Sequence, residues 1–170
     1  AVYQGADAVM LSAESAVGRH PTAAVAIMDR IIRAIETDRD ANPSAQAAPW
    51  TAEPTTADAC ARAASKLADD LDCPLVVFTR SGSSAQRVSA TRPKQPIHAL
   101  TPNISTARKL SLVWGVSADL EPEEPKSFDD ILGAVNRHET ASTIKRFVIT
   151  AGYPYASDNS TDTIKVVERK

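Results

Sequence analysis

The run Thr79-Arg80-Ser81-Gly82-Ser83-Ser84 is the part of the sequence best suited to chemistry. Four hydroxyls fall within six residues, beside an arginine and a glycine that frees the backbone. The run follows the apolar stretch Leu75-Val76-Val77-Phe78 and leads into a helical pattern at about Ser84–Thr91. The first N–H groups of a helix have no intrahelical acceptor, and the helix dipole favours negative charge there. Such a turn can cradle a phosphate, and Arg80 or Arg87 could add a charge-assisted contact. The same residues equally suit a serine-rich cap that satisfies its own backbone. No Gly-Lys-Ser/Thr ending is present, so the pattern favours phosphate binding over phosphoryl transfer.

Two other places carry weaker signals. Gly152-Tyr153-Pro154 opens a polar loop that runs to Thr161 and could lie beside the first turn as a lid, or be an ordinary hairpin loop. Ser12 and Glu14 follow an apolar stretch, and a carboxylate at the carboxyl end of a barrel strand can be catalytic. Alone, Glu14 suits a turn or helix cap. His20, His98 and His138 are scattered without metal-ligand or nucleophile–base spacing, so no metal site is expected. Cys60 and Cys73 are too few for a disulfide framework and read as reduced, buried thiols. The acidic stretch Glu121-Pro122-Glu123-Glu124-Pro125 reads as a solvated loop.

The elements that must position these residues alternate. A short strand over about Asp7–Leu11 precedes a turn, and Pro21 suits the first position of a helix with the stripe Ala24, Ile27, Met28, Ile31 and Ile35. Residues 39–54 are rich in proline and small residues and read as a linker, with Trp50 as a tack onto a neighbour. A helix at Thr56–Leu71 starts with a capping-box-like Thr55 and Asp58. Its inward positions are Ala57, Cys60, Ala61, Ala64, Leu67 and Leu71. Strands follow at Pro74–Thr79, Ile97–Leu100, Val116–Leu120, Phe147–Thr150 and Thr163–Val167. Helices fall between them at Ser84–Thr91, Ile104–Val113 and Phe128–Arg137. Repeated strand-helix-strand units predict an α/β, three-layer αβα sandwich on a mostly parallel five-stranded sheet. The last connection is too short for a crossover helix, so the last strand is expected to be antiparallel.

The chain has 170 residues, 43% of them hydrophobic and 24% charged, with a formal net charge of −2. These values suit a folded globular protein. Basic runs with interleaved aromatics are missing, so nucleic acid is not an expected partner. No apolar run approaches the roughly 20 residues that span a bilayer, so no membrane is expected. Reduced cysteines point to the cytoplasm. The chain opens at Ala1 directly into a buried-strand pattern, as a piece of a longer protein would.

The residues 5–21, Gly-Ala-Asp-Ala-Val-Met-Leu-Ser-Ala-Glu-Ser-Ala-Val-Gly-Arg-His-Pro, resemble the pyruvate kinase stretch DAVMLSGETAxGxYP. They depart from it at Ala13, Ser15 and His20. Residues 91–103, Thr-Arg-Pro-Lys-Gln-Pro-Ile-His-Ala-Leu-Thr-Pro-Asn, resemble that family's RPxxPIxALTPN, and Thr150–Pro154 with Ser160–Val166 resemble its closing hairpin. The resemblance runs in order along essentially the whole chain. It implies that residues 1–38 are the last strand and helix of a catalytic (β/α)8 barrel and 55–170 a C-terminal regulatory domain. It implies a full-length enzyme that transfers phosphoryl from phosphoenolpyruvate to ADP, with Mg²⁺ or Mn²⁺ and K⁺, in glycolysis. The main catalytic residues would lie outside this piece, which would be inactive alone. Only Ser12 and Glu14 match the rim of the barrel mouth. The turn Thr79–Ser84 matches the loop that binds a sugar phosphate or nucleotide effector in many family members, and Gly152, Tyr153 and Pro154 would join it. Self-association through the C-terminal domain is implied, as part of a tetramer. The alternatives are a free-standing phosphate-ligand sensor and a purely structural assembly domain.

Overall fold

Strand β1 (Leu75–Phe78) is the centre of the molecule's sheet, and every one of its residues is buried. It pairs in parallel with β2 (Ile97–Thr101) on one side and with β4 (Arg146–Ala151) on the other. Strand β3 (Val116–Leu120) extends the sheet beyond β2, and β5 (Thr163–Glu168) closes it antiparallel to β4. The spatial order is β3-β2-β1-β4-β5. A strand buried on both faces must be apolar at consecutive positions, as Leu75-Val76-Val77-Phe78 is. The structure, a computed structural model, describes residues 1–41, 55–138, 145–153 and 161–169. The chain divides into two units, Ala1–Ala52 and Glu53–Lys170.

In the second unit, helices α3 (Thr56–Leu71), α4 (Ser83–Ala90) and α5 (Ile104–Leu110) cover one face of the sheet. Helix α6 (Phe128–Arg137) covers the other. The handedness of the crossovers explains the split. From β1 the chain steps outward through α4 and α5, then reverses across β1 through α6. Right-handed connections running in opposite directions place their helices on opposite faces. The αβα sandwich with an antiparallel last strand is thus the architecture observed.

Alanines bring α3 close to the sheet. Ala57, Ala61, Ala64 and Ala68 are all buried, whereas Cys60, Leu67 and Leu71 are half-buried. The expected inward face is therefore rotated towards Asp58, Ser65 and Ala68. The rotation follows from the polar partners of α3. Asp58 accepts hydrogen bonds from the Thr55 N–H (2.9 Å) and hydroxyl (2.6 Å) and pairs with Arg87 of α4 at 2.7 Å. Ser65 accepts from the Thr91 hydroxyl at 2.6 Å. Cys73 lies in the core, and burial raises the pKa of its thiol.

The first unit is simpler. A 3-10 turn (Val2–Gln4) and the short helix α1 (Ala13–Ala16) lead to the long helix α2 (Pro21–Ala41), which Pro21 opens. The strand expected at Asp7–Leu11 does not form. No described strand pairs with this segment, and an extended chain without a neighbour has no ladder to join. The α2 stripe is likewise not enclosed: Ile27 and Ile31 are 48% and 54% exposed. One turn and one short helix cannot cover a 21-residue helix. The expected linker lies mostly outside the described residues, as does Trp50.

The Asp58 carboxylate is a pH-dependent element of the fold. The Thr55 hydroxyl and N–H lower its pKa, opposed by desolvation and aided by Arg87. A depressed folded pKa contributes stability above the unfolded value, near 4, and loses it as pH falls through the folded value. Asp58→Asn should therefore lower the urea midpoint at pH 7, with the gap to wild type closing below about pH 4. A gap unchanged down to pH 2 would contradict this account.

Candidate functional site

The chain reverses direction in the sheet between β1 and β4, so the carboxyl ends of these strands flank the switch point of an open α/β fold. The turn Thr79–Gly82 leaves β1 there, and the segment from Gly152 leaves β4. The Thr79 N–H finishes the ladder by donating to the Leu100 carbonyl at 2.9 Å. Its side chain is buried, and its hydroxyl accepts from the Gly82 N–H at 3.0 Å. Thr79 is thus a brace beneath the turn, and its hydroxyl faces inward rather than towards solvent.

Ser81 and Ser83 are exposed, and their hydroxyls are 3.1 Å apart. The Ser83 N–H also reaches the Ser81 hydroxyl, at 3.4 Å. The first bond of α4 runs from the Gln86 N–H to the Gly82 carbonyl, and no side chain caps the helix. The Ser84 and Ala85 amides consequently have no intrahelical acceptor. The Ser84 hydroxyl lies 2.6 Å from that of Thr161, two residues before β5. This bond brings the two sequence-distant loops together. Gly152 is half-buried and Tyr153 is exposed, with its N–H on the Asp162 carboxylate at 2.9 Å. Pro154 lies outside the described residues.

The two arginines part company. Arg87 is engaged with the buried Asp58 and braces α3 against α4. Arg80 stays at the turn, half-buried, with its Nε 2.9 Å from Glu124. Its backbone is pinned, because its carbonyl accepts from Asn103 Nδ2 (3.0 Å) and from the Thr106 hydroxyl (2.9 Å) at the start of α5. Beside it lies a cavity of about 550 Å³ with Phe78, Glu124, Lys126, Asp129, Ile131 and Arg137 among its lining.

The stretch at 121–125 is not uniformly solvated. Glu121 is buried, accepts from Arg137 at 2.8 Å and lies 3.4 Å from His138 Nε2. Its N–H also extends the sheet by donating to the Thr101 carbonyl at 2.8 Å. The side-chain contacts of Glu121, Glu124 and Thr161 join residues far apart in sequence, so no spacing announces them. His98 is buried in the sheet, where desolvation lowers its pKa against the opposing pull of Asp119.

At the other candidate, Glu14 Oε2 accepts from the Ser12 N–H at 3.0 Å. Its own N–H and that of Ser12 lower its pKa. This is the bonding of a carboxylate that closes a turn. Among the described residues no group of three or more His, Cys, Asp or Glu could hold a metal ion. No helix among them is long and apolar enough to cross a membrane.

An open, doubly wound α/β domain with its turns converging on the switch point is the class these features define. Residues 58–167 match the family model described as pyruvate kinase, alpha/beta domain. The chain belongs to the pyruvate kinase family. It is 42% identical to a pyruvate kinase of Agrobacterium vitis, over 99% of this chain and 36% of that protein. It is 34% identical to one from Geobacillus stearothermophilus, over 98% of this chain and 29% of that protein. The crystal structure of pyruvate kinase from Pyrobaculum aerophilum shares the fold, with a TM-score of 0.72, 24% identity, and coverage of 99% of this chain and 36% of that one. The chain thus spans about a third of the length of these relatives.

Gly82 is the position where the turn depends on a single residue. Its φ is +93°, and an added Cβ would stand 3.3 Å from Thr106 Cγ2 and 3.4 Å from Leu110 Cδ2. Gly82→Ala should cost about 1–2 kcal/mol from the left-handed backbone alone. Urea denaturation checks this. A stability equal to wild type would mean that the turn adopts another path.

Proposed function

We propose that this chain is the C-terminal part of a pyruvate kinase and that its α/β domain binds a phosphate-bearing effector at the turn Thr79–Ser84. The whole enzyme would transfer phosphoryl from phosphoenolpyruvate to ADP, in the cytoplasm, using Mg²⁺ or Mn²⁺ and K⁺ held elsewhere in the full-length protein. In this reading residues 1–38 contribute the end of the catalytic barrel, 39–54 a linker and 55–170 the regulatory domain, which would also serve self-association.

The observation that carries the effector reading is the exposed Ser81–Ser83 hydroxyl pair at the start of α4, at the switch point of the sheet. Hydroxyls and amides there converge on the place where an α/β sheet offers a crevice. An anion suits both the helix dipole and the Arg80 charge. Ser81, Ser83 and Arg80 would contact the phosphate; Thr79, Gly82 and Ser84 would shape the turn. Gly152 and Tyr153 would border it from β4.

A structural role is the second reading. It is favoured by Thr79 and Ser84, whose hydroxyls already make bonds inside the protein. Calorimetric titration with fructose bisphosphate, glucose 6-phosphate, ribose 5-phosphate and AMP separates the two. Binding of at least one is expected. Ser81→Ala with Ser83→Ala should weaken it roughly tenfold or more, as loss of a charge-assisted contact worth about 1.5–3 kcal/mol requires. Absence of binding by all four would leave the structural reading. In the same preparation the chain alone should form no pyruvate from phosphoenolpyruvate and ADP; turnover would overturn the assignment of the catalytic residues to missing polypeptide.

A further inference from the structure

Glu124 occupies the one arginine at the turn. Its carboxylate lies 2.9 Å from Arg80 Nε, with the two side chains 34% and 41% exposed. The partners approach from separate elements. Arg80 follows β1, with its carbonyl held by Asn103 and Thr106. Glu124 sits in the segment between β3 and α6 and lines the neighbouring cavity with Phe78. Both ends of that segment are fixed. The Glu121 N–H is bound to Thr101, and the Lys126 and Ser127 N–H groups each donate to Asp130 at 2.8 Å. Pro122 and Pro125 bracket the two glutamates and restrict their backbone. Each anchor therefore leaves a side chain to move while the backbone stays.

We infer that Glu124 is an internal competitor for the ligand of this turn: an incoming phosphate takes Arg80 from Glu124, and the exchange transmits occupancy of the turn to the segment that caps α6. The inference rests on the anion-binding reading above. Half-exposed ion pairs are weak and screened by solvent, so this one can be displaced. The Arg87–Asp58 pair, with its carboxylate only 4% exposed, is held by further bonds and stays in place. A phosphate offers more acceptor oxygens than a carboxylate and is favoured by the dipole at the start of α4 as well. Glu124 thereby sets the affinity of the turn, and the five carboxylates lining the cavity outnumber its cations, Lys126 and Arg137, which disfavours a second phosphate on that side. The ligand class that fits is a monophosphate whose remaining groups are uncharged.

The test uses the full 170-residue chain and NMR-monitored titration with ribose 5-phosphate, with inorganic phosphate and fructose bisphosphate in parallel. Glu124→Gln should tighten ribose 5-phosphate binding about 1.5- to 5-fold, the range that an exposed ion pair supplies. In an Arg80→Gln background the same change should do nothing. In the wild type, phosphate should shift the amides of Glu123, Glu124 and Lys126 as well as those of Ser81–Ser84; in Arg80→Gln only the latter should move. Glu124→Ala provides a second variant, and thermal denaturation verifies folding of each. Wild-type binding that Glu124→Gln leaves unchanged or weakens overturns the competition while the anion site stands. A bisphosphate preferred over the monophosphate overturns the ligand class. Binding by neither wild type nor Glu124→Gln overturns the anion site and the competition together.

Discussion

The geometry of the domain depends on β1 being hydrogen-bonded on both edges and packed on both faces. Such a strand has no freedom to shift, so the point at which it stops is fixed in space. Its last act is the Thr79 N–H bond to Leu100. Immediately beyond, the buried Thr79 hydroxyl holds the Gly82 amide, and the positive φ of Gly82 turns the chain into α4. The exposed serines are displayed because everything beneath them is pinned. Rigid strand, braced turn and uncapped helix start form one continuous arrangement.

Ion pairing around the turn divides by burial. Asp58 is enclosed, so Arg87 must remain beside it; a buried carboxylate stripped of its partner is costly. The pair at Arg80 is wetter and therefore exchangeable. Glu121 resembles Asp58 more than its neighbour Glu124. It is buried against Arg137 and continues the sheet with its own amide. Three carboxylates that look alike in sequence thus have different roles, decided by how much water reaches each. The first unit, by contrast, contains no buried residue among those described, and Val25, Ile27 and Ile31 of α2 stay exposed.

Much of the fold could be read directly. Consecutive apolar residues marked β1, the Thr55/Asp58 spacing marked the start of α3, and the short β4–β5 connection required an antiparallel pair. These features are local: a cap joins residues three apart, and a strand's burial is written in its own composition. The segment Asp7–Leu11 shows the limit of such reading, since its composition suits a strand but strand formation needs a partner.

The sequence alone therefore determined the family, the element order of the second unit and the hydroxyl-rich turn, because each is carried by contiguous residues. Only the tertiary structure decided which hydroxyls face outward, that Arg87 serves Asp58, that Arg80 meets Glu124 and that Ser84 meets Thr161. Those pairings join residues 29, 44 and 77 positions apart: the first through the packing of α3 beside α4, the other two through the return of the chain across β1. Sequence spacing carries no record of such contacts, because the crossovers that create them depend on how whole strands and helices pack.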